Sequence, residues 1–72
     1  MARSWLKKAR LDAGKTLAEI GKELEISESY YARIEAGERQ NPMDITLCAK
    51  LSKIFSIPIQ QIVELEDQEE TA

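Results

Sequence analysis

The sequence predicts an all-α domain of five short helices. Three observations carry that prediction. Apolar residues recur three and four apart, with no stretch of strand-like alternation. The breaks between apolar stretches are helix punctuation, with Gly14 and Gly37 as stops and Thr16, Ser27 and Asp44 as starts. A chain of 72 residues that is 43% hydrophobic is long enough for one modest core and too short for two. The domain is expected over residues 1–65, followed by an acidic, frayed tail over 66–72.

The first helix is expected over Ser4 to Ala13, with Leu6, Ala9, Arg10 and Ala13 on one face and Gly14 as its stop. The second opens at Thr16, where Thr16-x-x-Glu19 has the spacing of a capping box. Its inner face is Leu17, Ile20, Gly21 and Leu24. A tight Leu24-Glu25-Ile26 connection leads to Ser27, the N-cap of a third helix from Glu28 to Ala36 that Gly37 ends. A loop from Glu38 to Met43 contains Asn41-Pro42. Asp44 caps a fourth helix, about Ile45 to Ser56, with Ile45, Cys48, Leu51, Ser52 and Phe55 in register. Pro58 opens a fifth that ends near Leu65, with Ile59, Ile62 and Val63 apolar. Tyr31, Ile34, Leu51, Phe55 and Ile62 are expected in the core, and Trp5 is expected to pin the N-terminus onto it.

The net charge of −3 is unevenly spread. All ten Lys and Arg lie in the first 53 residues with eight of the thirteen acids, and the other five acids are Glu64, Glu66, Asp67, Glu69 and Glu70. A weakly basic body with an acidic end is compatible with nucleic acid without demanding it. No apolar run reaches membrane-spanning length, and the first residues lack the apolar block of a signal peptide, so a cytoplasmic setting is expected and no membrane partner. The single cysteine, Cys48, has no disulfide partner and reads as a small core filler. With no histidine and one cysteine the chain offers no metal cluster. Ala13-Gly14-Lys15-Thr16 mimics the end of a phosphate loop, but residue 9 is alanine where that loop needs glycine, and no strand precedes it. No nucleophile and base pair is present, so the expectation is no enzyme, no cofactor and no small-molecule ligand.

Helices 2 and 3, joined by about three residues, form a helix-turn-helix. Arg10, Gly14, Thr16, the Leu24-Glu25-Ile26-Ser27 turn, Arg33-Ile34-Glu35-Ala36-Gly37 and Pro42 fall in the order and spacing of the phage repressor and Cro type. The chain thus resembles the XRE family over about residues 4–65. The resemblance implies a five-helix, lambda-repressor-like domain that binds operator DNA as a dimer, with the third helix in the major groove. It also implies an internal ion pair between Arg10 and Glu35, structural rather than DNA-reading. Arg10's place on the apolar side of its helix independently asks for a partner.

With Tyr31 and Ile34 turned inward, the helical period sends Glu28, Ser29, Ala32 and Arg33 outward. Base reading is assigned to Glu28, Ser29, Tyr30 and Arg33: Arg33 can donate twice to a guanine edge and Glu28 can accept from a cytosine amino group. Phosphate binding is assigned to Thr16, Ser27, Arg39, Gln40 and Asn41. Plainer roles stand beside these: Glu28 as a carboxylate at a helix N-terminus, Tyr30 as surface packing, Arg33 as a solvated charge. Ile59, Ile62 and Val63 are the candidate dimer seam.

Three positions and one loop depart from the family pattern: Leu17 replaces a common glutamine, Gly21 an alanine and Glu25 a glycine, and the Gly37–Asp44 loop is one residue longer. The function expected is sequence-specific double-stranded DNA binding by a homodimeric, nucleoid-associated transcriptional regulator, a repressor acting on a palindromic operator. A protein-interaction module of the antitoxin or anti-repressor type is the alternative, favoured by the acidic balance and Leu17.

Overall fold

The computed structural model describes the backbone of residues 2–71 and the side chains of residues 2–68. The helices are α1 (Ser4–Asp12), α2 (Leu17–Leu24), α3 (Glu28–Glu35), α4 (Ile45–Phe55) and α5 (Ile59–Thr71), and no strand occurs among the described residues. Four of the five follow the boundaries expected from the sequence to within a residue or two, because their caps are local. Thr16 Oγ1 accepts from the Glu19 N–H at 3.1 Å while Glu19 Oε1 accepts from the Thr16 N–H at 2.9 Å, completing the capping box. Ser27 Oγ accepts from the Tyr30 N–H at 3.0 Å, and Asp44 Oδ1 from the Leu47 N–H at 2.7 Å. Gly14 and Gly37 take the left-handed conformation, with φ of 69° and 79°, where α1 and α3 end.

The core gathers Trp5, Leu6, Ile20, Leu24, Tyr31, Ile34, Leu47, Cys48, Leu51 and Ile62, so every helix contributes to one cluster. Trp5 is buried as expected, while Phe55 is half-buried at its margin. Two expectations are corrected. Ile45 stands 69% exposed: it is the first residue of α4, and the face that α4 turns inward is set by Leu47, Cys48 and Leu51. Ile62 is fully buried in the core, which removes it from the candidate dimer seam and leaves Ile59 and Val63, at 38% and 54% exposure.

The fifth helix differs most from expectation. It does not end near Leu65 but continues to Thr71, and Glu66, read from sequence as part of a frayed tail, is half-buried. Ala72 lies outside the described residues. The first residue past the expected end has tertiary partners. The Glu66 carboxylate accepts from Arg3 Nε at 2.8 and 2.9 Å and from Trp5 Nε1 at 2.7 Å, so the N-terminal arm holds it against the body. Among the described residues no helix is long and apolar enough to cross a membrane.

Candidate nucleic-acid interface

The connection between α2 and α3 sets how α3 is presented. Glu25 adopts φ 62°, ψ 38°, the left-handed conformation that its position in the turn demands. The Ile26 N–H donates back to Gly21 O at 2.9 Å and the Glu25 N–H to Lys22 O at 3.1 Å, which satisfies two carbonyls in the last turn of α2. A non-glycine residue pays about 1–2 kcal/mol for this conformation. Gly21 allows a close approach of the two helices at the same turn. A Cβ there would lie 3.1 Å from Ile26 O, 3.3 Å from Ser27 O and 3.4 Å from Glu28 N, so the missing side chain lets the start of α3 sit directly on α2.

Tyr31, Ile34 and Glu35 are the buried side of α3. Glu28, Ser29 and Arg33 are exposed, as the helical period requires, and Ala32 is half-buried. Thr16, Ser27, Arg39 and Asn41 are exposed as well. Tyr30 and Gln40 are half-buried and joined: Gln40 Nε2 donates to the Tyr30 hydroxyl at 3.0 Å, and Gln40 Oε1 accepts from the Asp44 N–H at 3.0 Å. The Tyr30 hydroxyl keeps its own proton to donate. The Glu19 carboxyl sits below its ordinary value, chiefly because the Thr16 backbone N–H bonds to it, with the Thr16 hydroxyl second.

Behind this face the charges are locked. Arg10 Nε donates to Glu35 Oε2 at 2.6 Å and Nη2 to Glu35 Oε1 at 3.3 Å, while Nη1 reaches the Lys15 carbonyl at 3.1 Å. Both side chains are buried, and the hydrogen bond that Arg10 donates to Glu35 holds Arg10 more firmly protonated than usual, against the cost of burial. This pair ties α1 to the last turn of α3. The Tyr31 hydroxyl is buried beside it with no hydrogen-bond acceptor at proper geometry, and burial, then the nearby Glu35 carboxylate, pushes its ionisation far upward. Burial likewise raises the Cys48 thiol, as a core filler requires.

The residue that sequence reasoning missed is Arg3. It is 3% exposed, and all five of its guanidinium donors are engaged. Besides Glu66, it donates through Nη1 to the carbonyls of Ile34 at 2.7 Å and Arg39 at 2.9 Å. Nη2 donates to the Gln40 carbonyl and to Asn41 Oδ1, the latter at 2.9 Å. Its backbone N–H donates to Glu35 O at 2.7 Å. No local pattern announces such a residue, because its partners lie more than thirty positions away in the chain. The loop it grips turns at Gln40, another left-handed residue with φ 62°, and contains a cis Asn41–Pro42 bond. Asn41 Nδ2 closes the loop by donating to Gly37 O at 2.7 Å.

Among the described residues no cluster of His, Cys, Asp and Glu is arranged to hold a metal ion. A helix-turn-helix family profile matches residues 6–62. The chain is also 48% identical over 40 residues to YqaF of Bacillus subtilis (strain 168), described as an uncharacterized HTH-type transcriptional regulator. That alignment covers 56% of this chain and 53% of the relative, so the chain spans about half the length of the curated relative it matches. No solved structure matches. With the profile spanning most of its length and α2 and α3 packed as the motif requires, the chain belongs to the XRE-type family of helix-turn-helix proteins.

Proposed function

We propose that this protein is a sequence-specific double-stranded DNA-binding transcriptional regulator that represses from a palindromic operator as a homodimer. One observation carries the reading. The outward face of α3 is polar and exposed at Glu28, Ser29 and Arg33, while the inward face is fixed by the core and the Arg10–Glu35 pair. A rigid helix that offers hydrogen-bonding side chains from its first turns is what major-groove reading needs. Arg33 supplies the guanine-reading fork, and Glu28 and Ser29 the neighbouring contacts. Tyr30 acts from the flank, its hydroxyl set by Gln40. Thr16, Ser27, Arg39, Gln40 and Asn41 anchor phosphates, Gln40 chiefly by shaping the loop. The family membership and the name of the Bacillus relative support this reading.

Dimerisation uses the exposed Ile59 and Val63, four apart on α5 and so on one face. Two copies then present their recognition helices about 34 Å apart, one turn of the duplex. The test is selection of bound sequences from a random duplex pool. A two-fold symmetric consensus with half-sites one turn apart is expected, with affinity that falls steeply as salt rises. Failure to enrich any sequence, or elution from heparin at very low salt, overturns the reading and leaves a protein-binding role for the same frame.

A further inference from the structure

We propose that Arg3 is a positioning residue for the DNA-contacting loop, a role that rests on the DNA reading for its purpose but not for its geometry. From beneath the surface its guanidinium fixes residues 39–41 and, through Gln40, the Tyr30 hydroxyl. The chain of contacts is continuous. One guanidinium plane holds the carbonyls of Arg39 and Gln40 and the Asn41 side chain on one edge, and the Glu66 carboxylate on another. The same group caps the Ile34 carbonyl in the last turn of α3. The Gln40 backbone, held in a left-handed conformation that a non-glycine residue adopts at a cost, directs its side chain to the Tyr30 hydroxyl and the Asp44 N–H. The loop, the end of α3 and α5 therefore share one anchor.

Arg3 cannot touch DNA itself, because it is buried. Its effect on binding passes through Arg39, Asn41 and Tyr30. The arrangement also depends on the guanidinium specifically. A lysine ammonium has three donors and no planar fork, so it can stay near Glu66 or near the loop carbonyls without bridging all of them.

The experiment compares the wild type with Arg3→Lys, well below the melting temperature of each, using two readouts. The first is 15N relaxation of the free protein. In the wild type the amides of Gln40 and Asn41 should have order parameters near ~0.85, and in Arg3→Lys below ~0.6. The second is binding to the pool-selected duplex over a range of salt. Affinity should fall about tenfold, and the slope of log affinity against log salt should shrink by about one, the signature of a lost phosphate contact. Selectivity among sequences should change far less. A loss of stability alone moves neither readout at a temperature where both proteins are fully folded.

If Arg3→Lys does not fold, Arg3→Met combined with Glu66→Gln removes both charges together, keeps an acceptor for Trp5 and carries the same expectations. A folded variant whose loop remains as ordered as the wild type overturns the proposal, and so does one whose salt slope and affinity are unchanged. Should the wild type bind no duplex, the DNA reading falls, and the relaxation data still decide whether Arg3 sets the loop.

Discussion

The two ends of α3 are built in opposite ways. At its N-terminus the helix is held by one side-chain cap, Ser27, and by the close seat that Gly21 provides, and its next side chains, Glu28 and Ser29, face solvent. At its C-terminus two buried arginines from the N-terminal segment converge, Arg10 on the Glu35 carboxylate and Arg3 on the Ile34 carbonyl. The Arg3 backbone N–H adds a bond to the Glu35 carbonyl. A helix clamped at one end and exposed at the other presents a fixed angle with free side chains. The division also runs around the helix, since Arg33 in the clamped last turn is exposed while Ile34 and Glu35 beside it are buried.

Four substitutions break or sharpen this contrast, in decreasing order of their effect on stability. Glu35→Ala attacks the clamped end. It orphans Arg10 in a buried site and should destabilise by about 3 kcal/mol. The urea midpoint measures it, and an unchanged midpoint would mean the pair contributes nothing. Gly21→Val attacks the seat of the open end. Its branched side chain meets backbone atoms of Ile26, Ser27 and Glu28 that cannot rotate away, so a loss of about 2 kcal/mol is expected. Chemical shifts should move along the turn and the start of α3 while the Arg10–Glu35 region stays put.

Glu25→Gly relaxes the strained turn between α2 and α3. It should raise stability by up to about 1 kcal/mol, because glycine takes the left-handed conformation freely but loses more entropy on folding. A lower midpoint would show that the carboxylate makes a compensating interaction. Arg33→Ala alters only the exposed face and should change stability by less than about 0.5 kcal/mol. Its effect belongs to binding instead, a loss of about 1–3 kcal/mol of discrimination at one base position, read from competition between single-base variants of the selected duplex. A steep fall in melting temperature would place Arg33 in the frame rather than on the face.

Legibility followed the range of the interactions. The capping box at Thr16 and Glu19, the caps at Ser27 and Asp44, and the glycine stops at Gly14 and Gly37 each act within about one helical turn, so residue type and spacing announce them. The Arg10–Glu35 pair was legible for another reason: an arginine on an apolar helix face requires a partner, and the family pattern supplies one. The inward face of α4 was less legible, since Ile45 fits the apolar period as well as Leu47 does. Ile62 was read both as core and as dimer seam, and only packing separates it from its exposed neighbour Val63.

By itself the sequence determined the five helices, where four of them begin and end, and which face of α3 turns outward, because backbone capping and hydrophobic period are encoded by near neighbours. Only the tertiary structure decided the length of α5 and the shape of the loop after α3. Arg3 touches both, and its partners Glu66, Arg39, Gln40 and Asn41 come within reach only after the chain has folded back on itself. An acidic tail reads as solvated until a buried cation is placed beside it, and no local pattern in the chain records that meeting.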